Sequence, residues 1–269
     1  MCLIAFAWRA HAPHRLILVA NRDEFYDRPT APAEFWPDQP QLLAGRDLGA
    51  GGTWLGFSRD GRFAAVTNFR EPGKQVSNAR SRGELVVEYL RSQAAPTEFL
   101  AALAADSRRV YNGFNLIAGD GEELCYWSNR GGPPRCLEPG LYGLSNHLLD
   151  TPWPKLVRAK QRLAAWLAGC DGGLDGLAEL MADRTLAPDP ILPHTGVTLE
   201  WERLLSPMLI HSESYGTRST TALTWNESGG VDFFEVPRGP DAGPPRHFTF
   251  EVAAAERAGA RPTSSAASS

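Results

Sequence analysis

Four pairs of short apolar segments, each pair interrupted by a tight turn, constrain the fold of this 269-residue chain more than any other feature of its sequence. Two such segments with a turn between them are typical of a β-hairpin, in which neighbouring strands run antiparallel. The turns carry sequences such as Asp60-Gly61, which favour the backbone of a hairpin loop. The paired segments are 2–8 with 16–21, 53–58 with 63–68, 111–118 with 123–128, and 219–225 with 231–236. We therefore predict sheets that are mainly antiparallel.

Amphipathic segments lie between these hairpins, and they predict helices that cover the faces of the sheets. In one of them Leu156 and Leu163 fall on the same apolar side, and Gly169 marks the end. The predicted helices are 81–93, 98–105, 153–167, 174–182 and 199–205. Because the chain shows no internal repeat and no proline-rich linker, we predict one α+β domain over residues 1–252. The Ser- and Ala-rich residues 253–269 are predicted to be a disordered tail.

The composition excludes several classes of partner. The 27 Lys and Arg against 31 Asp and Glu give a net charge of −4, which leaves no basic excess for phosphates. We therefore expect no nucleic-acid partner. No apolar run reaches the roughly 18–20 residues of a membrane-spanning helix, so no integral membrane segment is expected. The N-terminus also lacks the pattern of a secretory signal, and we expect a cytoplasmic protein.

The four cysteines and six histidines show none of the spacings that are typical of a metal site or a redox motif. There is no Cys-x-x-Cys pair and no His-Glu-x-x-His sequence, so we predict no metal site. In a chain without an export signal, Cys125, Cys136 and Cys170 are expected to be free thiols.

Cys2 is the most informative residue, because it directly follows the initiator methionine. Removal of Met1 would leave a thiol and a free α-amine on one residue. Such an amine has an ordinary pKa of about 7.7–8.0, which suits a general base. It could take the thiol proton and leave a thiolate nucleophile. The alternative is that Cys2 is only a small apolar residue at the start of a strand.

Four polar residues, Asn21-Arg22-Asp23-Glu24, end the second strand of the first predicted hairpin, directly after an apolar run. Because the two strands of a hairpin lie side by side, this motif is predicted to lie beside Cys2. A guanidinium there would lower the pKa of the thiol, and a carboxylate would hold the ammonium that forms. The alternative is a solvated, charged turn.

The same four residues match the motif that gives the NRDE family its name, and the chain resembles this family (transport and Golgi organisation 2) over roughly residues 1–236. Further matching motifs are Gly51-Gly52-Thr53-Trp54-Leu55-Gly56, Thr67-Asn68-Phe69-Arg70, Ser81-Arg82-Gly83, Tyr111-Asn112-Gly113-Phe114-Asn115, Ser145-Asn146 and Ser219-Thr220. The resemblance implies a role in haem trafficking or in lipid and acyl-coenzyme A homeostasis.

The family in turn resembles the N-terminal-nucleophile hydrolases, which implies a four-layer αββα sandwich. Cysteine members such as penicillin V acylase and bile salt hydrolase combine an N-terminal Cys, an Arg and an Asp soon after it, oxyanion-hole asparagines and a distant Arg. By chain order, the resemblance implies catalytic roles for Cys2, Arg22, Asp23, Asn68, Asn146 and Arg218. Those hydrolases separate the early Arg and Asp by two residues, whereas here the two are adjacent. Since one step along a strand reverses a side chain, it stays open whether both can face the thiol.

Two functions are compatible with these observations. One is a cysteine amidohydrolase that cleaves a non-peptide C–N bond through an acyl-enzyme on Cys2 and requires no cofactor. The other is a non-catalytic carrier on the same fold, with haem as a non-covalent cargo. Either would take a small amphipathic anion, such as an acyl amide, haem or acyl-coenzyme A. The expected ligand-binding residues are Asn21, Glu24, Arg70 and Arg82, although the two arginines also fit a solvated ion network.

Overall fold

The structure is a computed structural model, and it describes residues 2–169, 172–240 and 242–252. Its strands are β1 (Cys2–His11), β2 (His14–Phe25), β3 (Thr30–Trp36), β4 (Gln39–Asp47), β5 (Leu55–Ser58), β6 (Phe63–Asn68), β7 (Phe114–Gly119), β8 (Leu124–Ser128), β9 (Arg135–Cys136), β10 (Gly140–Leu144), β11 (Tyr215–Asn226), β12 (Gly230–Pro237) and β13 (Arg246–Glu251). Its helices are α1 (Gly83–Arg91), α2 (Pro96–Ala105), α3 (Pro154–Gly169), α4 (Gly173–Glu179) and α5 (Leu199–Leu204), with a 3-10 turn at Asp189–Ile191. The predicted tail and Cys170 lie outside the described residues.

The strands form two antiparallel sheets. The first sheet has the order β10-β1-β2-β11-β12-β13, and the second has the order β3-β4-β5-β6-β7-β8-β9. All four predicted hairpins are present, as β1–β2, β5–β6, β7–β8 and β11–β12. Buried apolar residues from both sheets, among them Phe6, Leu18 and Phe57, form one continuous core. The two sheets therefore pack face to face.

Helices cover the outer face of each sheet. α1 and α2 pack on the second sheet, where Leu85 and Leu100 join its apolar residues. α3 and α4 pack on the first sheet, where Leu156 and Leu177 do the same. The result is the four-layer αββα arrangement that the resemblance implied. In the part of the chain that the structure describes, no helix is long and apolar enough to cross a membrane.

The β3–β4 pair was not among the predicted hairpins. β3 contains Pro32 and Glu34, and its pairing with β4 shifts register twice. These irregularities remove the strict alternation of apolar and polar residues by which a half-buried strand is recognised in a sequence. β3 is the edge strand of the second sheet, where proline is tolerated.

Two of the cysteines that were expected to be free are paired. Cys125 and Cys136 lie opposite each other in the β8–β9 pair, with Cα atoms 3.8 Å apart, and form a disulfide. The expectation was wrong because nothing local in the sequence shows that the two-residue strand β9 lies beside β8. Among the described residues, one group of potential metal ligands has its ligand atoms within 4.8 Å of one another. It consists of Glu123 and these two cysteines. In this structure, however, the sulfurs are bonded to each other.

Candidate functional site

Cys2 and Arg22 are direct neighbours in the β1–β2 pair. Opposed residues of an antiparallel pair point to the same face of the sheet. Ile4 and Ala20 lie two residues from Cys2 and Arg22 on the same two strands, so they point to the same face. Because they belong to the core between the two sheets, Cys2 and Arg22 also face the space between the sheets. Both side chains are buried, with 9% of Cys2 and 5% of Arg22 exposed. The hairpin therefore brings the thiol and the guanidinium together at the end of the inter-sheet core.

Asn21 and Asp23 lie on the opposite face of β2, toward the layer of α3 and α4, because side chains alternate along a strand. Both are fully buried. The carboxylate of Asp23 accepts a hydrogen bond of 2.7 Å from the hydroxyl of Thr217. The amide of Asn21 donates to the backbone carbonyls of Met181 and Met208 at 3.1 and 2.8 Å. Asn21 thus ties β2 to the chain beneath it and does not line the cleft, contrary to its expected role in ligand binding.

A cleft of about 290 Å³ opens beside Cys2. It lies where the ends of β2 and β6 meet the loop before β5 and the start of α1. The predicted site residues that line it are Cys2, Arg22, Asp23, Glu24, Asn68 and Arg82. Trp54 forms one wall, and the Arg22 guanidinium stacks on it at 4.2 Å from the ring centroid. This stacking and a 3.1 Å hydrogen bond to the Thr30 hydroxyl fix Arg22 beside the thiol.

Four arginines line the cleft together with the carboxylates of Asp23, Glu24 and Asp47. Arg28, at its rim, forms an ion pair of 2.6 Å with Asp47. Among the described residues, neither Arg22 nor Arg82 has a carboxylate within ion-pair distance, and Arg82 donates instead to the backbone carbonyl of Gly113 at 3.1 Å. Burial lowers the pKa of both guanidinium groups, but arginine remains charged in proteins. Two arginines are therefore available to an anionic ligand next to Cys2.

The electrostatic surroundings of the Cys2 thiol act in opposite directions. Burial raises its pKa above the ordinary value of 9.0, and this is the largest influence. Arg22 lowers the pKa, whereas the carboxylates of Asp23 and Glu24 raise it. The net effect is a raised pKa of the thiol, and the Arg22 guanidinium reduces that rise.

The two candidate asparagines meet behind the cleft. Asn68 ends β6 and lines the cleft, whereas Asn146 follows β10 and is fully buried. The side-chain amide of Asn146 donates a hydrogen bond of 3.0 Å to the backbone carbonyl of Asn68. Ser145, between β10 and Asn146, donates to the backbone carbonyl of Cys2 at 3.4 Å. This segment thus connects Cys2 to the opposite sheet.

Two predicted arginines lie outside the cleft. Arg218 occupies a bulge of β11 and donates to the backbone carbonyls of Phe25, Tyr26 and Arg28 at 2.7, 3.1 and 3.0 Å. It therefore holds the turn after β2 and lines a neighbouring cavity. Arg70 is buried and pairs with Glu202 at 3.0 Å, so it belongs neither to a solvated network nor to the wall of the cleft.

Lys155 is one of the buried ionisable residues that the sequence reasoning missed. It lies in the first turn of α3 and is only 2% exposed. Burial lowers its pKa to about 8, opposed mainly by the carboxylate of Asp23. A signal was present in the sequence, because Lys155 precedes Ala159 and Leu163 at the four-residue spacing of the buried face of this helix.

The chain is similar to known proteins over most of its length. The family model described as transport and Golgi organisation 2 matches residues 1–238. A transport and Golgi organization protein 2 homolog from Bos taurus is 41% identical over 258 residues, and the one from Homo sapiens is 38% identical over 256 residues. Each alignment covers 87% of this chain and 92% of the relative. Among solved structures, the mutant C2A conjugated bile acid hydrolase from Clostridium perfringens matches with a TM-score of 0.50 and 8% identity, over 93% of this chain and 92% of that one.

Proposed function

Because the chain belongs to the transport and Golgi organisation 2 family and shares its fold with a conjugated bile acid hydrolase, we propose that it is a cysteine amidohydrolase acting through Cys2. The observation that carries the proposal is the position of the thiol. It lies opposite Arg22, on the wall of a cleft that also holds Arg82 and Asn68. The bile acid hydrolase was solved as a C2A mutant, so that enzyme also carries a cysteine at its own position 2.

The proposed reaction begins after removal of Met1. The α-amine of Cys2 takes the thiol proton, and the sulfur attacks the carbonyl carbon of an amide. The charge that develops on the carbonyl oxygen is stabilised by the side-chain amide of Asn68. The C–N bond then breaks, and the leaving nitrogen takes the proton from the Cys2 ammonium. Water, deprotonated by the same amine, hydrolyses the thioester to release the acid and restore the thiol.

The arginines of the cleft support an anionic class of substrate. Arg22 and Arg82 favour a carboxylate or phosphate near the reacting amide, since guanidinium groups bind such anions through paired hydrogen bonds. We therefore propose N-acyl compounds with an anionic group, such as N-acyl amino acids, as substrates.

The test uses protein that carries a removable N-terminal extension before Cys2. Cleavage of the extension exposes Cys2 as the first residue, and incubation with N-acyl amino acids, homoserine lactones and β-lactams is followed by intact-mass measurement. We expect an acyl adduct on Cys2 only in the cleaved protein, and none in the cleaved Cys2→Ala variant. The uncleaved protein is the matched control, because its thiol is present while its amine is blocked.

The competing function is a carrier of haem or acyl-coenzyme A. A carrier would bind its ligand with nearly unchanged affinity in Cys2→Ala and would form no adduct with any donor. If no compound of the panel gave an adduct and Cys2→Ala bound haem or acyl-coenzyme A tightly, the result would support the carrier function and contradict the hydrolase function.

A further inference from the structure

A second cavity lies next to the cleft, and Trp54 is a wall of both. Its volume is about 260 Å³, against about 290 Å³ for the cleft. Each volume falls just below the roughly 300–1,000 Å³ of small-molecule binding sites, whereas the two together fall within that range. The two cavities are therefore large enough to hold one ligand between them.

The register of the first sheet places the second cavity close to Cys2. Cys2 is opposed to Arg22, and Arg22 is opposed to Ser219 on β11, which lines the second cavity. Neighbouring strands lie about 4.8 Å apart, so the Cα atoms of Cys2 and Ser219 are roughly 10 Å apart. An acyl chain of medium length spans such a distance. A ligand whose carbonyl carbon lies at the Cys2 sulfur therefore reaches the second cavity with the far end of its acyl group.

Arg22 and Trp54 form the boundary between the two cavities. The guanidinium stacks on the indole at 4.2 Å from the ring centroid and donates a hydrogen bond of 3.1 Å to the hydroxyl of Thr30, which lines the second cavity. Gly45 makes room for the indole, because a Cβ at this position would lie 2.3 Å from Cη2 of Trp54. The indole is therefore held in place between the two cavities.

The two cavities differ in the character of their walls. The cleft is lined by four arginines and three carboxylates, and its large apolar side chains among the described residues are Trp54 and Val66. The second cavity is lined by six aromatic or proline residues, which are Tyr26, Pro32, Trp54, Pro237, Pro240 and Pro244. An apolar group of a ligand is therefore removed from water more favourably in the second cavity than in the cleft.

Most polar side chains of the second cavity already have partners within the protein. Glu235 is buried and accepts a hydrogen bond of 2.7 Å from a backbone N–H of β3. Arg246 lies 3.8 Å from the carboxylate of Glu34. Arg218 donates to three backbone carbonyls, and Arg238 donates to a threonine hydroxyl of β11 at 3.2 Å. The apolar surface is therefore the part of this cavity that remains for a ligand to contact.

We propose that the second cavity is the acyl-binding site of this chain, and that it takes the apolar acyl group of an N-acyl substrate whose anionic part lies in the cleft. The inference rests on the proposed function, which places the scissile amide at Cys2. In this arrangement Trp54 lies between the two parts of the substrate. The cavity beyond Trp54 favours acyl groups of medium length over the acetyl group, which is too short to reach it.

The test measures affinity in Cys2→Ala protein, which cannot form an acyl adduct at residue 2. Isothermal titration calorimetry compares N-acetyl-, N-butanoyl-, N-hexanoyl- and N-octanoylglycine, which share one carboxylate and differ in acyl length alone. Each methylene that enters the second cavity should raise the affinity about fourfold, from the free energy of burying a methylene. Equal affinity for the N-acetyl and N-octanoyl compounds would overturn the inference.

Two variants in this background change the second cavity itself. Ala31→Phe adds bulk and Pro32→Glu adds a charge, and both residues line the cavity from β3. Each should weaken the binding of N-octanoylglycine by about 10- to 100-fold and that of N-acetylglycine by less than about twofold. Pro32 is exposed on an edge strand, so its variant still tests the cavity if Ala31→Phe does not fold.

Ala101→Phe is the matched control for added bulk. Ala101 is exposed on α2, which packs on β7 and β8, so all four affinities should stay unchanged in this variant.

The outcomes separate this inference from the proposed function. If affinity rises with acyl length but intact mass shows no adduct on Cys2, the acyl-binding site stands and the hydrolase is rejected. If adducts form but affinity is independent of acyl length, the hydrolase stands and the acyl-binding site is rejected. Unchanged binding of N-octanoylglycine by both cavity variants would likewise reject the second cavity as the acyl-binding site.

Discussion

The side-chain amide of Asn146 donates a hydrogen bond of 3.0 Å to the backbone carbonyl of Asn68, and this contact joins the two sheets behind the cleft. A second bond runs nearby, from the backbone N–H of Arg70 to the carbonyl of Asn146 at 2.7 Å. The two asparagines therefore have different surroundings. Asn146 is buried and its side-chain amide is used in a structural hydrogen bond, whereas Asn68 lines the cleft.

This difference predicts different effects of replacing the two residues. Asn68→Ala should slow acylation of Cys2 by about 10²–10³-fold, the effect of losing one oxyanion donor, with unchanged stability. Asn146→Ala should lower the free energy of unfolding by about 1–3 kcal/mol, because a buried carbonyl loses its donor. Acylation rates from intact mass and urea denaturation measure the two quantities. Equal effects of both variants on rate alone would contradict this division of roles.

Apart from Arg22, Arg82 should contribute more to ligand affinity than the other arginines. In a Cys2→Ala background, which prevents turnover, Arg82→Gln should weaken the binding of an N-acyl glycine by about 10- to 100-fold, through loss of a charge-assisted hydrogen bond. Arg203→Gln is the matched control, because Arg203 pairs with Asp189 on the exposed surface. Isothermal titration calorimetry measures both. Unchanged affinity in Arg82→Gln would remove this residue from the binding site.

The ion pair between Arg70 and Glu202 should contribute to stability and not to ligand binding. Both side chains are buried, and Arg70 also stacks on Trp153 at 4.7 Å from the ring centroid. Arg70→Met leaves the Glu202 charge without its partner and should cost about 3–5 kcal/mol of unfolding free energy. Replacing both residues by Met should cost less than Arg70→Met alone. Guanidinium denaturation provides the comparison, and a more stable Arg70→Met variant would contradict it.

Lys155 should also give the protein a particular dependence of stability on pH. Burial lowers its pKa from the ordinary 10.5 to about 8, so between these values the unfolded chain binds a proton that the folded chain does not. Its contribution to unfolding free energy is therefore least favourable below about pH 8. That contribution rises above this value by up to about 1.4 kcal/mol per pH unit.

The comparison of Lys155→Met with the wild type isolates this contribution. The variant should lack the rise, so the difference in unfolding free energy between wild type and variant should change in favour of the wild type from pH 8 to pH 9.5. Lys160→Met serves as the control and should follow the wild type. Parallel curves for Lys155→Met and wild type would show that the lysine titrates normally.

The parts of the site that lie within one hairpin were accessible from the sequence, because a hairpin fixes which residues are neighbours. Cys2 and Arg22 face each other for this reason. The positions of Arg70 and Lys155 depend instead on where α5 and α3 pack against the first sheet, and no local pattern specifies that docking. Arg218 illustrates the same limit, since the bulge in β11 decides which way its side chain points.

The features of the fold also differ in whether the sequence predicts them. The hairpins and helices of an α+β domain could be inferred from the sequence pattern, because alternation and turn residues are local properties of a sequence. The four-layer αββα arrangement was implied by the resemblance. The disulfide between Cys125 and Cys136 could not be inferred, because it depends on β9 returning to the edge of the second sheet.

The alternation of side chains along β2 also has a consequence for how this chain can change. Within residues 21–24, the side chains of Asn21 and Asp23 make hydrogen bonds on the face of β2 that is turned toward α3 and α4, while Arg22 and Glu24 alternate with them toward the cleft, whose lining also includes Asp23. Gain or loss of a single residue between Ala20 and Arg22 would exchange these two sets. The charged cleft residues would then enter an apolar interior, and loss of one residue would place Asp23 where Arg22 is now. Single substitutions in this stretch are therefore expected to be tolerated far better than any change in its length.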